Sequence, residues 1–157
     1  MRRQASYIIT IALLSILCSC TRGVMYSHYE NVPCDGWHAD SVLKYDICPT
    51  DSVSPYIIAI DIRHNEQYPF QNIWLFADLY ADSVFVQRDT LEYYLADHRG
   101  EWLGSGFGRL KNMSCLWLSN TTLPPADTMH IYISHGMRCD TLTGVEAVGV
   151  TIEEQNK

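Results

Sequence analysis

The chain has 157 residues, 47% of them hydrophobic, with 11 Lys and Arg set against 18 Asp and Glu. That length allows one domain with a real core. The acidic balance and the scatter of the basic residues exclude a nucleic-acid binder, which needs clustered Lys and Arg to neutralise phosphate.

Residues 1–19 read as a signal peptide. Met1-Arg2-Arg3 supplies the basic start and Tyr7 to Leu17 the apolar run, with small Ser19 before the cut. The run is shorter than the roughly 20 apolar residues a membrane span needs. The cut site resembles a lipobox, with Leu17 three residues before Cys20. Cys20 is therefore the expected lipidation site, and several palmitate-type acyl chains there would hold the protein firmly in a membrane. Removal of Arg2 and Arg3 leaves 9 basic residues against 18 acidic, a formal charge of −9. Residues 20–27 read as a lipidated tether and 28–157 as one domain.

The domain reads as strands. Residues 41–48 alternate, with Leu43, Tyr45 and Ile47 inward and Lys44 and Asp46 outward. Residues 55–63 repeat this, with Tyr56, Ile58, Ile60 and Ile62 on one face and Asp61 and Arg63 on the other. Residues 72–80 are apolar on both faces and suit a central strand, with Trp74 and Phe76 in the core. Residues 84–96 hold a hairpin or one long bent strand, and 88–96 is the best helix candidate. Segments 113–118, 128–134 and 145–152 add three strands; in the last, Val148, Val150 and Ile152 share a face. Turn chemistry separates them at Pro33–Gly36, Asp97–Gly100 and Leu123–Ala126. Short strands at this spacing predict an all-β fold, an antiparallel β-sandwich of about eight strands, of immunoglobulin-like or jelly-roll type.

The search for chemistry returns little. Gly104-Ser105-Gly106-Phe107-Gly108 lacks the Lys-Ser/Thr ending of a phosphate loop and suits a glycine bend or close backbone packing. Six histidines show no zinc spacing, and Cys34, Cys48, Cys115 and Cys139 form no C-x-x-C pair. No metal or cofactor is expected. Cys115 suits burial, whereas Cys34 and Cys48 are candidates for a bridge. No Ser-His-acid frame is evident, so the chain is not expected to be an enzyme.

Asp-Ser/Thr-apolar occurs six times, and two explanations fit. Asp closes a turn before each strand, or Ser41, Ser52, Ser83, Thr90, Thr128 and Thr141 are O-glycosylation acceptors, since the tripeptide resembles the signal of exported Bacteroidetes proteins.

A longer resemblance also runs along the chain. Its marks are Tyr29, Gly36-Trp37, Ser54-Pro55-Tyr56, Ile62-Arg63-His64-Asn65, Tyr68-Pro69-Phe70 and Asn72-Ile73-Trp74-Leu75-Phe76. Asp89-Thr90-Leu91-Glu92, Leu95-Ala96-Asp97, Gly100, Leu103–Gly106, Met137-Arg138, Leu142, Gly144-Val145, Val148–Val150 and Ile152-Glu153 follow in order. In these the chain resembles the gliding-motility lipoprotein family of Bacteroidetes, the GldH type. The resemblance implies an envelope lipoprotein, lipid-anchored and non-enzymatic, tied to gliding and type IX secretion, and it carries no catalytic residues. Tyr68, Pro69 and Arg138 are the interaction candidates, and an exposed apolar or aromatic patch is expected beside the tether. Thr21 after the cysteine points to the outer membrane, facing the periplasm. An alternative is a glycan- or envelope-polymer-binding module, which expects exposed tryptophans from among Trp37, Trp74, Trp102 and Trp117 on a concave face.

Overall fold

The computed structural model describes residues 23–49 and 54–155. The signal peptide, Cys20 and the acceptor candidate Ser52 lie outside the described residues.

The strands are β1 (Val24–Asn31), β2 (Trp37–His38), β3 (Leu43–Ile47), β4 (Pro55–His64), β5 (Asn72–Ala81), β6 (Val84–Tyr94), β7 (Lys111–Thr122), β8 (Met129–His135), β9 (Thr141–Leu142) and β10 (Val145–Glu154). One sheet has the order β1-β10-β4-β7 and the other β3-β8-β5-β6, while β2 and β9 make a short ribbon. Every pairing is antiparallel. Among the eight long strands, one sheet runs first, eighth, third, sixth and the other second, seventh, fourth, fifth. That is jelly-roll winding, so the jelly roll is the arrangement formed of the two expected.

The period of two explains the core. Tyr56, Ile58, Ile60 and Ile62 of β4 and Val148, Val150 and Ile152 of β10 are buried. They belong to one core with Ile73, Leu75, Ala77 and Leu79 of β5 and Met129, Ile131 and Ile133 of β8. The sheets are also tied by side chains that reach across the gap. The Tyr45 hydroxyl donates to the Val148 carbonyl at 2.7 Å. Trp117 Nε1 donates to Asp89 Oδ2 at 2.8 Å, and the Tyr93 hydroxyl to the Leu116 carbonyl at 2.9 Å. These contacts place β10 across from β3 and β7 across from β6.

Several expectations are corrected. The first strand starts at Val24, so chain assigned to the tether is already paired with β10. Its burial barely alternates, which hides the strand signal. Trp74 and Phe76 are not in the core: they are 38% and 40% exposed on the outer face of β5. Of the readings open for residues 84–96, the one long strand is formed, as Val84–Tyr94, hairpinned onto β5 through the turn at Asp82, where φ is +52°; the helix candidate at 88–96 is not. Cys34 and Cys48 are exposed free thiols rather than a bridge, and Cys115 is buried as expected. Burial pushes the Cys115 thiol up to about 12, which keeps it inert.

The connections collect at two ends. The start of β1, the β5–β6 turn, the β7–β8 link and the end of β10 mark a tether pole. The segments joining β1 to β3, β4 to β5, β6 to β7 and β8 to β10 make a loop pole at the other end.

Ile60 is fully buried between Val150 and Cys115. Ile60→Ala is expected to cost roughly 2–5 kcal/mol, read as a lower urea midpoint by fluorescence. Trp74→Ala, on the exposed face, is expected to shift the midpoint far less.

Candidate functional site

The loop pole is closed by buried aromatic side chains. Trp37 is fully buried; its Nε1 donates to the Ser41 carbonyl at 3.0 Å, and its ring meets the His135 ring edge-on at 5.4 Å. The β4–β5 loop folds over Asn65, whose side-chain oxygen accepts the Gln67 N–H at 2.7 Å. Gly144 clamps this loop from below with φ of +83°; a Cβ there would fall 2.3 Å from the Tyr68 nitrogen. Only glycine fits both demands.

This packing decides the fate of the three interaction candidates. Tyr68 is buried, so it is not available to a partner. Its hydroxyl donates to the Asn72 carbonyl at 2.8 Å, and its ring packs against His64, Phe70 and Trp102. Burial raises its phenol pKa well above the ordinary value. Pro69 is exposed beside Phe70. Arg138 is exposed and borders a groove of about 520 Å³ shared with Phe70, Asn72, Trp74, Gly136 and Met137.

The groove rests on backbone hydrogen bonds. Gly136 N–H donates to the Trp74 carbonyl at 2.7 Å, and Met137 Sδ accepts the Trp74 N–H at 3.3 Å. A Cβ on Gly136 would come within 3.1 Å of the Phe76 ring, so a small residue lets that ring lie beside the groove. Phe70, Phe76 and Met137 are not among the interaction candidates the sequence offers, and Trp74 is one only for the glycan-binding alternative. The signal was present: Trp74 and Phe76 alternate with Ile73 and Leu75 and share their face with Asp78, which marks that face as the wet one. Aromatics beside an arginine in a concave setting suit protein recognition.

The four tryptophans do not share a face. Trp37 and Trp117 are buried, Trp102 is half-buried, and Trp74 is the exposed member. An apolar stretch, Val84 to Val86, is exposed at the tether pole, as expected for a patch there. The outer face of the β3-β8-β5-β6 sheet carries a bidentate Arg88–Asp78 pair and a His130–Asp46 contact at 2.6 Å. Both lie on open strand surface. Among the described residues, no group of three His, Cys, Asp or Glu side chains could hold a metal ion.

The Asp-Ser/Thr tripeptides serve turns in four of the five described copies, preceding β3, β6, β8 and β9. Asp82 binds Thr128 twice, with N–H to carbonyl at 2.7 Å and Thr128 N–H to Asp82 Oδ1 at 3.0 Å. Asp89-Thr90 departs from the expected position, lying inside β6, where Asp89 turns inward to Trp117. Ser83 and Thr90 are exposed; Ser41, Thr128 and Thr141 are half-buried.

Two buried histidines brace the pole. His64 Nδ1 meets the Asn65 carbonyl at 3.2 Å and His135 Nε2 the Trp37 carbonyl at 3.0 Å, so those nitrogens carry the hydrogens. Their other nitrogens, His64 Nε2 and His135 Nδ1, are buried without a partner. Burial lowers both pKa values below the ordinary 6.5. Both rings therefore hold a second proton more weakly in the fold than in the unfolded chain, and protonation favours the unfolded chain. Stability is expected to be full above pH 6.5 and to drain as pH falls below it. Melting curves across that window should show the loss, and His64→Phe should flatten it.

A family model described as GldH lipoprotein matches residues 24–152. The chain is 30% identical, over 163 aligned positions, to a protein named gliding motility lipoprotein GldH homolog of Christiangramia forsetii, covering 99% of each. It is 29% identical to the gliding motility lipoprotein GldH of Flavobacterium johnsoniae, covering 99% of this chain and 100% of the relative. A solved structure, the infectious bursal disease virus VP2 subviral particle, aligns over 81% of this chain and 29% of its own length. Its TM-score of 0.36 and identity of 14% are too low to bear on fold or function.

Proposed function

The chain belongs to the GldH lipoprotein family, and on that premise we propose that it is a non-enzymatic accessory protein of the gliding-motility and type IX secretion machinery. In this reading it is held by lipid on Cys20, at the outer membrane facing the periplasm, and docks protein partners through its loop pole. The observation that carries the reading is the Phe70–Trp74–Met137–Arg138 groove, which lies at the end of the sandwich away from Val24. Cys20 is four residues before Val24, a reach of at most about 14 Å. A tether that short keeps the tether pole near the lipid and turns the groove towards the periplasm. Thr21, rather than an acidic residue, after the cysteine supports the outer membrane.

Crosslinking of the tagged lipoprotein in its native envelope tests this. Gliding or type IX components should be enriched over an unrelated lipoprotein. Trp74→Ala combined with Arg138→Glu should cut their recovery about tenfold, the scale on which a central aromatic or arginine acts, with the lipoprotein's abundance unchanged. Enrichment of polysaccharide-handling proteins instead would favour the glycan-binding alternative.

Ser83 and Thr90, exposed on β6 and its turn, are the O-glycosylation acceptors best placed for an enzyme. The intact mass of the envelope-derived protein should exceed that of the acylated chain by sugar increments. Ser83→Ala with Thr90→Ala should remove them.

A further inference from the structure

We propose that Val84, Phe85 and Val86, the first residues of β6, enter the headgroup and acyl boundary of the bilayer that holds the lipid anchor, giving the domain a second membrane contact that fixes its orientation. The three are 66%, 53% and 42% exposed. A lone exposed apolar residue is ordinary. Three in a row on a strand are not, because alternation turns every second side chain inward. From Gln87 onwards β6 does alternate, half-buried with exposed. A bulge breaks the pattern at the tip: Leu79 pairs with Gln87 and Tyr80 with Phe85, so Val86 has no residue opposite. The tip is also held still. Asp82 N–H donates to the Thr128 carbonyl at 2.7 Å, and Asp82 Oδ1 accepts the Thr128 N–H at 3.0 Å, which pins the turn to the β7–β8 link. The Phe85 ring stands edge-on to Tyr80 at 5.5 Å, and Tyr80 edge-on to Tyr132 at 5.4 Å. An apolar tip backed by tyrosines suits a membrane interface, where a phenol keeps its ring dry and its hydroxyl wet.

The position of the tip identifies the occupant. The β5–β6 turn lies at the pole where β1 begins, and β1 starts at most about 14 Å of chain from Cys20. The inference rests on the lipid anchor at Cys20 proposed above, and not on the groove or its partners. β1 and β6 are edge strands of different sheets, on opposite sides of the sandwich. Tether and tip therefore stand at least three strand spacings apart, roughly 14 Å. One tether lets a domain swivel on the membrane; two separated contacts do not. The other occupant of an apolar edge is a strand from a partner protein, but the bulge and the inward Asp89 spoil this edge for pairing. The exposed charges that flank the turn, Asp82 and Asp127, are acidic, as are Glu153 and Glu154 at the end of β10. Arg88, on the strand itself, is locked on Asp78. The contact is thus apolar, without attraction to anionic headgroups.

The test places the photocrosslinker p-benzoylphenylalanine at position 85 of the full-length lipoprotein in its native host, grown with radioactive phosphate. The acyl-glyceryl anchor carries no phosphorus, so light-dependent label on the protein reports a crosslinked membrane lipid. Parallel probes go at Tyr94, exposed at the other end of the same strand, and at Phe107, exposed on the loop pole. Label at 85 should exceed that at 94 and at 107 at least fivefold, a comparison that needs no destabilising variant. Val84→Asp combined with Val86→Asp should cut it at least fivefold, with the urea midpoint unchanged and the protein still in the membrane fraction after a carbonate wash. Three results overturn the contact while a wash-resistant protein keeps the anchor: label no higher at 85 than at 94 or 107, a protein adduct at 85 in place of lipid, or label indifferent to the aspartates. Release of the unsubstituted protein by the wash overturns the anchor, and this contact with it.

Discussion

The burial of one face from each of two sheets is the constraint on which the rest of the molecule depends. Among the described strands, β5 and β6 alone are joined as a hairpin; the other long strands that follow one another in sequence lie in different sheets. Strands that pair are therefore far apart in sequence, and most pairing must overcome loop-closure entropy before any contact rewards it. What offsets that cost is the dry layer of Ile58, Ile60, Leu75, Ile131, Ile133 and Val150, all fully buried. The winding also sends each crossing connection over one end of the sandwich, so the longest ones gather at one pole. There they can differ in chemistry without disturbing the core.

Closing that pole demands buried polar groups. Trp37 brings an indole N–H inside and supplies it with the Ser41 carbonyl. Tyr68 brings a hydroxyl and supplies it with the Asn72 carbonyl. His64 and His135 each satisfy one nitrogen and leave the other dry, a cost tolerated while both rings stay neutral. The exposed groove residues stand directly on this platform: Phe70 adjoins the Tyr68 ring, and Gly136 follows His135. The surface offered to partners is therefore held by the same contacts that seal the core.

The sheet edges are managed differently. β6 is an edge strand of eleven residues, a length that invites pairing with other chains. Asp89 points inward to Trp117, Arg88 is locked on Asp78, and the register shifts between Leu79 and Tyr80. An inward charge and a bulge are devices that blunt an edge. On the other sheet, Asp61 is nearly buried although it faces outward, and the Thr151 hydroxyl donates to it at 2.6 Å. The Arg63 guanidinium lies 4.8 Å over the Tyr29 ring beside it.

The order of residues alone determined the all-β class, the inward faces at 41–48, 55–63 and 145–152, the turns at Pro33–Gly36 and Asp97–Gly100, and the family resemblance. Each is a local property, set by side-chain period, by glycine and proline conformation, or by residue order. Tertiary structure decided what locality could not reach. The choice of jelly roll over an immunoglobulin-like sandwich depends on which strands pair, and period says nothing of partners. The burial of Tyr68 and the exposure of Pro69 and Arg138 depend on loops from distant segments meeting at one pole. Trp74 and Phe76 read as core because an apolar strand with no assigned neighbour looks buried on both sides. Asp78 on the same face hinted otherwise, and the sheet, by leaving that face of β5 uncovered, made them a surface.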